Sequence, residues 1–390
     1  MEPEPTWEEL LGSNNWEGLL EPLNLTLRRL ILRCGDFCQA TYDAFNNDAN
    51  SKFAGTSRYG KNSFFQKVML QSADDYTVAA FLYATAQVGV PEALFLHSLS
   101  RESWDRESNW IGYIGVTSDA VSETLGRREI YVAFRGTTRD YEWINVLGAK
   151  PEAAEPLLRP KSLRKGSRIS NGNNSGSSSD SDDDEVPKVM KGWLKIYVSN
   201  DPNSEFTKLS AREQLQTKIE DLRSQYKDEN LSITLTGHSL GASLSILAAF
   251  DLCENGVNIP VTAIVFGSPQ VGNKVFNQAM AQFPNLKMLH VRNKIDLIPH
   301  YPSSLLGYAK SGTELAMLHV VAGWNGEDGE FEMKVKRSLA LVNKSSGFLK
   351  DECLVPESWW VEKNKGMVVD DNGDWVLASP GDEDLPVPEY

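Results

Sequence analysis

The chain has 390 residues, 41% of them apolar, enough to bury a sizeable core in one large α/β domain or two smaller ones. Its formal net charge of −14 and pI near 5.0 come with no basic stripe, which excludes nucleic acid as a general partner. The same acidity disfavours broad docking to anionic membranes, so any transient membrane-surface contact depends on local apolar surface.

Met1 to Leu11 is acidic, with Glu2, Glu4, Glu8 and Glu9 and neither a basic nor an apolar leader region. No apolar run reaches the length of a transmembrane segment, and a cytoplasmic location is expected. Cys34, Cys38, Cys253 and Cys353 are too few and too scattered for a disulfide framework. Cys34 and Cys38 share one helix face and read as small buried core residues. The sequons at Asn24, Asn173, Asn230 and Asn343 are expected to carry no glycan in that compartment.

From Trp7 to about Asp48, Trp7, Leu10, Leu11, Trp16, Leu19 and Leu20, then Leu27, Leu30, Ile31, Cys34 and Cys38, fall at helical spacings and predict an N-terminal helical layer. Ser108 to Val116 and Glu129 to Phe134 predict strands, the second ending on Arg135-Gly136-Thr137-Thr138. Ser167 to Glu185, built mainly from Ser, Asn, Gly and Asp with no aromatic residue, predicts a disordered acidic insertion. Its serines, Ser177, Ser178, Ser179 and Ser181, precede acids and are candidate phosphate acceptors. Apolar structure resumes from Pro187 to Val198, and a helix is expected from about Ser210 to Tyr226.

Leu231, Ile233 and Leu235 alternate with Ser232, Thr234 and Thr236, the period of a strand, which runs into Gly237-His238-Ser239-Leu240-Gly241. An apolar helical run from Ala242 to Cys253 follows. A G-x-S-x-G between strand and helix is the pattern of a nucleophile elbow, in which small residues let a strained turn lift the serine hydroxyl out of the sheet. Further strands are expected at Val261 to Phe266 and Lys287 to Val291. The alternation argues for an α/β fold with a mostly parallel central sheet and helices on both faces. Asp370 to Asp374 reads as a solvated hairpin turn rather than a calcium loop.

An acyl-transfer serine needs a base, a group to orient it and donors for the developing oxyanion. Asp296, just beyond a strand end, is the best acid in the expected order of serine, acid, histidine. The backbone N–H groups of Leu240 and Thr137 are the expected oxyanion donors, with Arg135 bracing the loop rather than entering the chemistry.

Phe134-Arg135-Gly136-Thr137-Thr138, Gly237 to Ala242, Phe266-Gly267-Ser268-Pro269, Gly272-Asn273 and Asp296-Leu297-Ile298-Pro299 together resemble the class 3 lipases. The N-terminal layer, Lys208 to Gln214, Leu318 to Gly323 and Lys350 to Cys353 look like the plant class II phospholipase A1 subfamily. The resemblance covers nearly all of the chain and implies a single α/β-hydrolase domain over 1–390. It also implies a Ser-Asp-His triad, no metal or other cofactor, and release of the sn-1 acyl chain from glycerophospholipids. Arg139 to Gly148 would by the same likeness be a lid over the serine.

Of the five histidines, only His300 and His319 follow Asp296. His300, on the same turn as the acid, is poorly placed to reach Ser239, which leaves His319 as the candidate base. The resemblance puts the subfamily histidine seven positions earlier, where this chain has Gly312 in a shortened stretch. Three functions therefore stay open: an acyl hydrolase using Ser239, Asp296 and His319, a chemically silent lipase-like lipid- or protein-binding form, and acyl transfer to an alcohol other than water.

Overall fold

The computed structural model describes residues 4–87, 95–137, 149–159, 186–294, 296–317, 367–369, 375–377 and 384–388. At its centre is a seven-stranded sheet, β1 (Tyr76–Thr85), β2 (Ser108–Thr117), β3 (Arg128–Phe134), β4 (Leu231–His238), β5 (Val261–Phe266), β6 (Leu286–Asn293) and β7 (Thr313–Met317). The strands lie side by side in chain order. β1, β2 and β3 pair antiparallel, and every pair from β3 to β7 is parallel. The α/β-hydrolase expectation is met in this mostly parallel sheet covered on both faces.

Strand alternation divides the core in two. Ile130, Val132 and Phe134 of β3 point into one apolar cluster, and Tyr131 and Ala133 into the other. On the second face lies α1 (Leu25–Ala44), whose N-cap Asn24 accepts from the N–H groups of Thr26 and Leu27. Its Phe37 stacks on Tyr131 with ring centroids 4.4 Å apart and meets Tyr76 edge-on at 5.0 Å. Cys34 and Cys38 on the same helix are buried, as their spacing implied, and burial pushes both thiols up out of the reactive range.

On the first face lie α2 (Lys191–Val198), α3 (Ala211–Gln225) and α4 (Leu240–Glu254). α3 begins with a capping box in which Ser210 and Glu213 bond each other's backbone N–H. α4 is apolar on every side because it is covered on every side, and each residue from Leu240 to Cys253 is buried. Its one acid before the last residue, Asp251, has no solvent exposure and accepts from Arg212 at 2.9 Å, Tyr197 at 3.0 Å and Gln216 at 2.9 Å. This buried network ties α4 to α2 and α3.

A second sheet of four short strands, Pro151–Ala153, Lys188–Met190, Gly272–Asn273 and Tyr308–Ala309, is antiparallel throughout. Met367–Val369 and Trp375–Leu377 pair antiparallel, and the Asp370 to Asp374 stretch between them lies outside the described residues. The Ser167 to Glu185 insertion and the Arg139 to Gly148 segment also lie outside them. No helix among the described residues is long and apolar enough to cross a membrane.

Candidate active site

β4 ends at His238 and α4 begins at Leu240, so a single residue, Ser239, makes the turn between them. Its backbone has φ 55° and ψ −117°, a conformation that costs on the order of 1–3 kcal/mol for a residue with a side chain. The flanking glycines permit it. A Cβ on Gly237 would overlap the backbone of Gly241, and one on Gly241 would overlap the carbonyl of Phe134. The turn is pinned to the neighbouring strand end, since the Ser239 N–H donates to the Phe266 carbonyl at 3.1 Å. The Ser239 hydroxyl is buried and has no hydrogen-bond partner among the described residues.

Asp296 follows β6 and is 4% exposed. Its Oδ1 accepts from the Ile298 N–H at 2.9 Å. Its Oδ2 lies 3.1 Å from where a Cβ on Gly267 would stand, and the His238 Nε2 lies 3.4 Å from the same point. The carboxylate is therefore brought to the residue next to Phe266, on which the serine amide is anchored. Burial raises its pKa to about 6, against the lowering by the Ile298 N–H and Arg292.

The loop after β3 runs beside the elbow, where Gly136 packs against the His238 carbonyl and the Tyr42 hydroxyl so closely that a Cβ would clash with both. Thr137, half-buried, is the next residue. The Leu240 N–H is the first amide of the fifteen-residue α4, where the helix dipole favours negative charge. Thus Ser239, Leu240, Thr137 and Asp296 converge at the carboxyl ends of the parallel strands. Arg135 braces its loop, donating to the Trp110 carbonyl at 3.2 Å and the Gly136 carbonyl at 2.8 Å.

The histidines sort by surroundings. The Nδ1 of His238 is 2.9 Å from the Tyr42 hydroxyl, and burial pulls its pKa down to about 4. His290 accepts the Ser268 N–H on Nε2 at 2.9 Å and is also pulled down to about 4, first by burial. Both rings are neutral scaffolding. His300 is exposed on the turn Ile298–His300, and His97 is exposed beyond β1. His319 lies outside the described residues.

Gly312 requires a correction. It immediately precedes β7, which runs parallel to β6 with Thr313 beside Leu289 and Met317 beside Asn293. Gly312 therefore stands at the amino end of the strands, opposite the end carrying Ser239 and Asp296. It turns with φ +72°, and a Cβ there would crowd the Met288 carbonyl at 2.7 Å. A side chain at this position faces the end of the sheet away from Ser239 and Asp296, so position 312 itself does not supply the base.

Tyr42, which falls within the N-terminal helical layer expected from Trp7 to about Asp48, reaches the elbow from α1. No local pattern marks it, because 196 residues separate it from His238.

The lipase (class 3) family profile matches residues 131–305. Phospholipase A1-IIdelta of Arabidopsis thaliana is 59% identical, over 99% of this chain and 98% of that protein. Phospholipase A1-II 5 of Oryza sativa subsp. japonica is 49% identical, over 98% of this chain and 84% of that protein. Among solved structures, the native Rhizomucor miehei lipase propeptide complex aligns with a TM-score of 0.45 at 17% identity, over 75% of this chain and 69% of that chain. With a relative this similar along nearly its whole length, the chain belongs to the class 3 lipase family, within the plant class II phospholipases A1.

Proposed function

We propose that this protein is a serine acyl hydrolase that releases the sn-1 fatty acid of glycerophospholipids through an acyl-enzyme on Ser239. The observation that carries the reading is the elbow itself: a buried serine hydroxyl without a partner on a strained strand-to-helix turn, with a buried carboxylate one residue from its anchoring carbonyl. Phospholipase A1 names among its similar relatives supply the substrate class.

Ser239 Oγ attacks the ester carbonyl as the base takes its proton, and the N–H groups of Thr137 and Leu240 receive the developing oxyanion. The base returns the proton to the departing lysophospholipid oxygen, and water then releases the fatty acid by the same route. The proposed base is His319, oriented by Asp296. β7 supports this, because its last residue, Met317, pairs beside Asn293, at the edge of the sheet where the Asp296 loop begins. Access to the lipid surface through Arg139 to Gly148, cytoplasmic location and a role in lipid degradation belong to the same reading.

The test is fatty-acid release from phosphatidylcholine with distinguishable sn-1 and sn-2 chains, comparing the wild-type protein with Ser239→Ala, His319→Ala and His300→Ala. Release of the sn-1 chain should vanish in the first two and persist in the third. Retained release in His319→Ala would remove that residue from the mechanism. Absence of release by folded wild-type protein would instead favour a binding role.

A further inference from the structure

Arg135 is 4% exposed, yet no carboxylate pairs with it among the described residues. Its guanidinium sits 3.7 Å from the centre of the Phe45 ring, and its two hydrogen bonds go to backbone carbonyls, Trp110 through Nε and Gly136 through Nη1. A buried cation without a counter-ion is costly, and a neutral donor would serve to brace a loop at lower cost. The carbonyl it holds is therefore informative.

The Gly136 oxygen and the Thr137 N–H are the two ends of one peptide unit. Because that unit is planar and trans, holding the oxygen fixes the direction of the N–H on the opposite side. A charged donor on the oxygen also draws density from the nitrogen and makes the N–H a stronger donor. Gly136 is packed against the His238 carbonyl, so this peptide lies beside the elbow.

We infer that Arg135 is a positioning residue that aims and strengthens the Thr137 N–H as an oxyanion donor for acyl transfer at Ser239. The inference rests on Thr137 being such a donor. Burial lowers the Arg135 pKa only to about 10, so the charge persists at neutral pH.

Arg135→Lys keeps a charge but offers one point donor in place of the fork that spans both carbonyls. Its kcat should fall about 10- to 100-fold, less than or comparable to outright loss of an oxyanion donor. KM should change by less than about twofold, since the ground state makes little use of the hole. Amide resonances of the full-length protein, free and with a phosphonate bound covalently to Ser239, separate the two claims. In wild type the Thr137 amide proton should move downfield on adduct formation, and in Arg135→Lys it should move less. An unmoved wild-type Thr137 amide overturns the oxyanion assignment and the inference together. A Thr137 shift and kcat that are the same in wild type and variant overturn the inference alone. If Arg135→Lys does not fold, wild type decides: a through-bond coupling between the Arg135 guanidinium and the Gly136 carbonyl carbon is expected, and its absence overturns the inference.

Discussion

The Tyr42 hydroxyl lies 2.9 Å from His238 Nδ1, joining the long N-terminal helix to the residue just before the proposed nucleophile. The same hydroxyl rests against Gly136, so one side chain supports both the elbow and the proposed oxyanion loop. Tyr42→Phe should cost about 1–3 kcal/mol, because it leaves a buried ring nitrogen without its partner. The loosened loop should lower kcat by up to about tenfold with KM nearly unchanged. Urea unfolding and steady-state ester hydrolysis check this, and wild-type values for both would remove Tyr42 from the site.

Gly241 meets the end of β3 where α4 begins, with no room for a methyl group beside the Phe134 carbonyl. Gly241→Ala should destabilise the protein by at least about 2–3 kcal/mol, the cost of forcing atoms into a packed interior. Hydrolysis should fall with it, because the loop that carries Thr137 follows the displaced strand end. Thermal unfolding within a degree or two of wild type would show that helix and strand separate more easily than the geometry allows.

Asp296 sets a pH dependence whose sign follows from its burial. Its pKa rises from 3.8 in the unfolded chain to about 6 in the fold, so between those values the folded state holds more proton. Wild type therefore loses stability relative to Asp296→Asn as pH rises from about 4 to 6, by about 2–3 kcal/mol in all. The variant should be the more stable protein at pH 7 and yet inactive. Urea midpoints of both proteins across this range test the point, and a gap that does not widen with pH contradicts it.

Asp251 depends on Arg212 for neutralisation inside the packed first face. Arg212→Ala should cost about 3–5 kcal/mol by stranding a buried carboxylate. Arg212→Met with Asp251→Leu should recover much of that loss, since an apolar pair has no charge to desolvate. A double variant no more stable than Arg212→Ala would show that Tyr197 and Gln216 require the acid.

Gly312→His tests the correction at that position. At the amino end of β7, with a left-handed backbone and the Met288 carbonyl in the way, histidine should lower stability by about 1–3 kcal/mol without raising activity. A gain in hydrolysis would reverse the assignment of that end of the sheet.

Much of this protein is written in local periodicity. The strands expected at Ser108 to Val116, Glu129 to Phe134 and Val261 to Phe266 form within a residue or so of those limits, as does the helix near Ser210 to Tyr226. β1 carries no such signal, because Tyr76-Thr77-Val78-Ala79-Ala80-Phe81-Leu82-Tyr83 is nearly continuously apolar, without a clear period of two. The elbow was legible because glycine, serine and glycine meet a steric demand made by residues two positions apart.

Chain-local chemistry thus determined the fold class, the serine turn and an acid placed after a strand. Tertiary structure alone decided that Tyr42 meets His238, that the Arg135 charge falls on the peptide of Thr137, and that Gly312 lies at the opposite end of the sheet from Ser239. Sequence spacing along β7 does not tell one end of a parallel sheet from the other. Hydrogen-bond register with β6 does, because it sets which residues of β7 stand beside the carboxyl ends where Ser239 and Asp296 meet.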